Sequence, residues 1–312
     1  MPERQHAHGP HARSVEVQDV YERVLAGASI QSRYVDVSGR RVHFLEKAAG
    51  PPLVLLHGTG INAAFFLPLL TRLEGIRAIV PDRPGQGLSE PIDLPRERYF
   101  ETVIDWVDRV FDALELNAVV LLGHSAGGVW AIRYTLTHPD RVKRLVLIGP
   151  PTLPKTRCPL PYRLIATPGL GEMLPRLAPP SPKSVLQFAS FMGEGATISR
   201  HPDLIDLIVA ANREPVAAAV QRVDTRVLVS PLALIAPLGF RPRSRVRRDE
   251  LGRLTMPTLL IWGEQEPLGN VSIARQLTSL MPHARLQVLP TGHVPWLGQP
   301  AQTATAVLDF MR

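Results

Sequence analysis

The 312-residue chain has one cysteine, Cys158, which excludes an internal disulfide and fits a reducing compartment. It also lacks the roughly 18 consecutive apolar residues that a membrane span requires. The nearest run, Val227 to Phe240, is broken by Pro231 and Pro237 and is expected to be buried or to face a pocket. The first residues carry no apolar segment of the secretory type, so the expected location is cytoplasmic. His6, His8 and His11 lie in a polar stretch with nothing nearby to fix them as metal ligands, and a disordered tail is expected there. No internal repeat is visible, which sets solenoids aside. Lysine is scarce: almost all of the 35 basic residues are arginine, for a net charge of +7. The densest basic run, Arg241 to Arg253, has no aromatic residue interleaved for stacking on bases. It is read as a solvated loop, and no nucleic-acid partner is expected.

Hydrophobic residues make up 45% of the chain, enough at this length for one large domain or two modest ones. Arg33–Val37 and Val42–Glu46 read as an antiparallel hairpin turning at Ser38-Gly39. Short continuous apolar runs follow at Leu53–Leu56, Ala78–Val80, Ala118–Leu122, Leu145–Ile148, Thr258–Trp262 and Leu286–Leu289. Such runs suit strands buried on both faces. Helical segments alternate with them. One is predicted over Ala63–Leu73, capped by Asn62. The clearest runs from Phe100 to Leu116, with Val103, Trp106, Val107, Val110, Phe111 and Leu114 at helical spacing. Others are predicted over Gly127–Thr137, Val271–Leu280 and Ala301–Phe310. The alternation predicts an α/β fold, a mostly parallel eight-stranded sheet with helices on both faces.

The rhythm breaks at Gly149-Pro150. From Pro151 to about Leu254 proline is dense, and only two helices are legible, near 184–192 and 203–212. The expected organisation is an N-terminal tail over residues 1–30, flexible in its first part, a core made of residues 31–150 and 255–312, and an insertion over 151–254.

Gly123-His124-Ser125-Ala126-Gly127 follows an apolar strand and opens a helix. That is the setting of a nucleophile elbow, where the serine sits on a strained turn and its neighbours must be almost free of side chain. Ser125 needs a base. His293, in the loop after the last strand, is the expected one, because catalytic groups gather beyond the carboxyl ends of parallel strands. His57 is expected to have a structural role, and His124 to point away from the serine. His43, His138, His201 and His283 have no motif context. An acid that orients the base belongs after the seventh strand, where Glu264 and Glu266 both stand. The backbone N–H groups of Ala126 and Thr59, the latter within His57-Gly58-Thr59-Gly60, are the expected oxyanion donors.

Taken together and in this order, HGTG, PDRPGQG, GHSAGG, IWGEQEP and GHVPW resemble the α/β-hydrolase superfamily, in its branch of small esterases, perhydrolases and C–C bond hydrolases. The similarity covers about residues 33–150 and 255–312. It implies the α/β-hydrolase fold with an inserted, mainly helical cap over the middle segment. It also implies that the acid is the residue four after the tryptophan, Glu266, where aspartate is commoner. Gly298 replaces an acidic residue frequent in relatives, without catalytic meaning. A serine at the elbow argues against the dehalogenase and epoxide-hydrolase relatives, which carry aspartate there.

The expected catalytic residues are therefore Ser125, Glu266 and His293, with Thr59 and Ala126 as the oxyanion hole. The expected activity is hydrolysis of a carboxylic ester or related acyl bond in a small, apolar substrate, with no metal and no cofactor. Apolar residues of the insertion, among them Leu160, Tyr162, Phe188 and Met192, favour an acyl or ring substrate over a sugar or peptide. C–C bond hydrolysis, thioester cleavage and perhydrolysis use the same residues and stay open, as does a non-enzymatic ligand-binding role. The oligomeric state is not legible.

Overall fold

A computed structural model of the chain describes residues 15–47, 50–232 and 237–312. Eight strands form one sheet: β1 (Gln31–Val37), β2 (Arg40–Lys47), β3 (Pro52–Leu56), β4 (Arg77–Pro81), β5 (Val119–His124), β6 (Val142–Ile148), β7 (Thr258–Gly263) and β8 (Ala284–Leu289). Their spatial order is β1-β2-β4-β3-β5-β6-β7-β8. β2 runs antiparallel to β1 and β4, and the other neighbours are parallel. The β1–β2 hairpin turns at Ser38 and Gly39, both at positive φ (55° and 77°), as a two-residue hairpin turn demands.

Each short apolar strand serves two faces. Leu53 and Leu55 of β3 enter one core cluster, Val54 and Leu56 the other, which is the two-residue period of a pleated strand. One face is covered by helices Tyr99–Ala113 and Ala126–Thr137, the other by Val15–Leu25 and Pro300–Met311. The Tyr99–Ala113 helix buries Val103, Trp106, Val107, Val110 and Phe111, the stripe its spacing predicts, while Leu114 forms its C-terminal cap.

Two expectations change. The helix predicted over Ala63–Leu73 is a 3₁₀ turn, Ala63–Phe66, and one α-turn, Leu67–Leu70. Asn62 does not cap it with its side chain. Asp82 does that work from the end of β4, accepting the Ala63 N–H at 2.7 Å. The segment before residue 30 is not all tail: Val15–Leu25 is a helix that buries Val17, Val20, Tyr21 and Val24. The three N-terminal histidines lie outside the described residues. Most of the arginine-rich run is solvated as expected, with Arg243, Arg247, Arg248 and Arg253 exposed. Ser244 and Val246 are buried, and Arg241 Nε donates to the Arg226 carbonyl at 2.6 Å.

Between β6 and β7 the chain forms helices Leu160–Ala166, Leu170–Leu177, Pro182–Phe191, Pro202–Arg213 and Pro215–Leu228. Three prolines of this region open helices instead of breaking them: Pro182, Pro202 and Pro215 each stand in the first turn, where no N–H is needed, while Pro175 lies inside Leu170–Leu177. Of the apolar run Val227–Phe240, the two ends meet in a Val229–Phe240 bridge, and residues 233–236 lie outside the described residues. Among the described residues no helix is long and apolar enough to cross a membrane.

Candidate active site

Ser125 caps the helix Ala126–Thr137 with φ 52° and ψ −124°. A non-glycine residue at positive φ costs about 1–3 kcal/mol, so the surroundings must hold it there. Its N–H donates to the Ile148 carbonyl of β6 at 2.9 Å, which ties the turn to the neighbouring strand. A Cβ on Gly127 would lie 2.2 Å from the Leu56 carbonyl oxygen, and one on Gly123 would lie 2.6 Å from the Gly127 carbonyl oxygen. Only glycine fits at either place.

His293 follows β8, and Glu266 follows β7. Both Glu266 carboxylate oxygens lie 2.9 Å from His293 Nδ1. The Leu268 N–H donates to Glu266 Oε1 at 3.2 Å and fixes the carboxylate. Both side chains are buried, to 5% exposure for His293 and 1% for Glu266. Nδ1 must carry its proton to meet a carboxylate, which leaves Nε2 as the basic nitrogen. Glu264 is exposed, two residues away on the same loop. The geometry thus separates two glutamates that composition alone left equal.

Gly149, at φ 51° after β6, packs directly beneath this pair. A Cβ there would lie 2.6 Å from Glu266 Oε2 and 2.9 Å from His293 Nδ1. The sequence marked this residue only as a break in rhythm.

Ser125, His293, Thr59 and Ala126 come together in the wall of one small recess of about 40 Å³. Ser125, His293 and Thr59 also line a larger cavity of about 360 Å³. Ala126 begins its helix, so its N–H has no intrahelical acceptor. The larger cavity is walled by Ile61, Phe65 and Leu297 from the core, and by Ile165, Leu174, Val185 and Phe188 from the helices between β6 and β7.

The other histidines near the site are held neutral. His124 Nε2 lies 3.1 Å from the His293 carbonyl oxygen and supports that loop from behind. Burial, then the neighbouring His293, holds its pKa well below the ordinary value. His57 accepts the Arg83 N–H on Nε2 at 2.9 Å, so its proton is on Nδ1, which donates to the Gly58 carbonyl at 2.8 Å. Burial and the Arg83 charge push its pKa down to about 4.

Three buried acids around the site are not singled out by the sequence, although Asp82 lies within PDRPGQG. Asp82 accepts from His43 Nδ1 at 2.7 Å, from the Leu88 N–H at 2.9 Å and from Ala63. Burial opposes its charge, yet His43 and these amides keep its pKa below the usual value. Glu194 accepts the Val294 N–H at 2.9 Å, and the His293 N–H donates to the Met192 carbonyl at 3.0 Å, so the turn Met192–Glu194 clasps the histidine loop. Burial raises the pKa of Glu194. Asp224 pairs with Arg83 at 2.6 Å, across 141 positions of sequence. Glu194 and Asp224 are lone acids without local context, and only a distant partner gives each its meaning. Among the described residues no three His, Cys, Asp or Glu side chains cluster as metal ligands would.

Comparisons with known proteins agree with this architecture. The sequence model of the family described as "alpha/beta hydrolase fold" matches residues 51–298. The chain is 25% identical over 280 residues to the pimeloyl-[acyl-carrier protein] methyl ester esterase of Shewanella sp. (strain MR-7), covering 87% of this chain and 94% of that protein. It is 26% identical over 286 residues to the 2-hydroxy-6-oxo-6-phenylhexa-2,4-dienoate hydrolase of Burkholderia cepacia, covering 85% and 91%. A crystal structure of a carboxylesterase from Bacillus subtilis superposes with a TM-score of 0.74 at 23% identity, over 95% of this chain and 96% of that one. The match to the family model spans well over half of the chain, and the chain belongs to the α/β hydrolases.

Proposed function

We propose that the protein is a serine hydrolase that cleaves a carboxylic ester or related acyl bond of a small, apolar substrate through an acyl-enzyme intermediate. The observation that carries this reading is the contact of Glu266 with His293, which lines the same cavity as Ser125. His293 Nε2 takes the Ser125 proton as Oγ attacks the carbonyl carbon. The amides of Ala126 and Thr59 hold the oxyanion. The C–O bond to the alcohol then breaks, and His293 gives the proton to the leaving oxygen. Water, deprotonated by the same nitrogen, attacks the acyl-enzyme; the acid departs and Ser125 regains its proton. Glu266 keeps the imidazole in the correct tautomer and stabilises the imidazolium.

Two recesses of very different size meet at Ser125, about 360 Å³ and about 40 Å³. That asymmetry supports a substrate with one medium-sized apolar arm and one small arm. The likeness to an enzyme named as a methyl ester esterase points the same way. A second reading, hydrolysis of a C–C bond in a diketone, is supported by the relative named for a phenylhexadienoate. The lone Cys158 suits a cytoplasmic location. A panel of chromogenic esters and one vinylogous diketone tests the two readings. Ester turnover that vanishes in Ser125→Ala supports the first. A folded protein that cleaves only the diketone replaces it with the second.

A further inference from the structure

The buried network around Asp224 takes no part in the proton transfers above. Asp224 stands on the helix Pro215–Leu228, between β6 and β7, and is 0% exposed. Its Oδ2 accepts from Arg83 Nη2 at 2.6 Å, from Thr59 Oγ1 at 3.1 Å and from Gln86 Nε2 at 3.4 Å. Its Oδ1 accepts from the Tyr99 hydroxyl at 2.6 Å. Burying a carboxylate this deep is costly unless it is paired and hydrogen-bonded, and Asp224 is both. The Arg83 guanidinium lies 3.8 Å over the Trp130 ring, and Trp130 Nε1 donates to the Tyr99 hydroxyl at 3.0 Å, which adds two further contacts to the scaffold.

Two arms of this scaffold end on the loop after β3. The Arg83 backbone N–H holds His57, and Asp224 holds Thr59. Gly58 lies between them, so close to the nucleophile that a Cβ there would be 3.0 Å from Ser125 Cβ. The loop is therefore pinned on both sides of its nearest approach to Ser125. Thr59 differs from the other three donors to Asp224: it alone lines the large cavity. An oxyanion donor must sit about 2.7–3.1 Å from the oxygen it stabilises, so a small rotation of the Thr59 peptide costs catalysis.

We infer that Asp224 is a positioning residue. Through Thr59 Oγ1 it fixes the direction of the Thr59 amide, so that the segment between β6 and β7 positions one of the two oxyanion donors. This rests on the acyl-transfer reading given above. It makes those helices part of the catalytic apparatus as well as a cover over the cavity.

The test compares two variants that each remove one hydrogen bond to Asp224. Thr59→Val keeps the backbone N–H but loses the hydroxyl, and Tyr99→Phe loses a bond remote from the loop. Parent turnover and labelling by a fluorophosphonate are measured first. The inference expects Thr59→Val to lower kcat about 10- to 100-fold with KM little changed, somewhat less than deleting a donor outright. Affinity for an alkyl boronic acid, whose serine adduct carries the oxyanion, should fall by the same factor. Thr59→Ser should recover most of the loss. Tyr99→Phe should lower Tm and keep kcat within about twofold. Unchanged kcat in Thr59→Val, an equal fall in Tyr99→Phe, or a loss confined to KM overturns the positioning role and leaves the Ser125 chemistry standing. A folded parent with neither turnover nor label overturns the acyl-transfer reading, and this inference with it.

Discussion

Glu266 and His293 are joined through both oxygens of the carboxylate, each 2.9 Å from Nδ1. That contact fixes the tautomer on which the proposed base depends. Glu266→Gln presents an amide to the same nitrogen and favours the wrong tautomer, and kcat is expected to fall about 10³- to 10⁴-fold. Glu264→Gln, on the exposed side of the same loop, is expected to stay within about twofold. Steady-state kinetics of the two variants side by side check this. A larger loss in Glu264→Gln would move the acid to the other glutamate.

Gly149 leaves no room for a side chain. With φ at 51° and a Cβ placed 2.6 Å from Glu266 Oε2, Gly149→Ala strains the backbone and pushes the acid from the base. The expected result is lower stability, by roughly 1–3 kcal/mol for the strain, and a kcat loss resembling that of Glu266→Gln. Urea unfolding and turnover of one preparation measure both. Retention of full activity would mean that the pair tolerates displacement.

Stability is expected to fall as pH drops from about 6.5 towards 5. His57 has a folded pKa of about 4, below its unfolded value, because of burial and Arg83. Between the two values the unfolded chain binds a proton that the folded protein refuses, so acid favours unfolding. His124 acts in the same direction, again through burial first. Glu194 opposes them, since burial raises its pKa and lets the folded state take a proton earlier. Each histidine contributes up to about 1.4 kcal/mol per pH unit in that window. Urea midpoints at pH 7.5 and pH 5 should differ accordingly, and equal midpoints would contradict neutral burial of these rings.

The large cavity should set chain-length preference. Ala189→Trp places an indole among the residues that wall it. Turnover of an octanoyl ester is expected to drop at least about tenfold relative to an acetyl ester of the same alcohol. Parallel loss on both esters would mean that the acyl chain lies elsewhere.

The inner strands β3 to β7 were legible because they are short apolar runs buried on both faces, with glycines and prolines between them, whereas the edge strands β1 and β8 are largely exposed or half-buried. The elbow was legible for the same physical reason: Gly123 and Gly127 are forced by backbone contacts, and forced glycines show in sequence. Of the helices between β6 and β7, Pro182–Phe191 and Pro202–Arg213 were legible, while Leu160–Ala166, Leu170–Leu177 and Pro215–Leu228 were hidden, the last because Pro215 looks like a breaker and acts as a helix start. The Ala63–Phe66 turn was misread because its cap comes from Asp82, far along the chain, and not from the adjacent Asn62. Long-range electrostatics was the least legible. Asp224 and Glu194 look like ordinary surface acids until the fold sets them against Arg83 and the histidine loop.

The central claim is that position 125 carries an activated serine, and fluorophosphonate labelling tests it without any knowledge of the substrate. The account predicts rapid labelling of the parent protein, at Ser125 by peptide mapping, and no labelling of a folded Ser125→Ala variant. Equal labelling of both, or none of a parent that hydrolyses no ester in the panel, would contradict it.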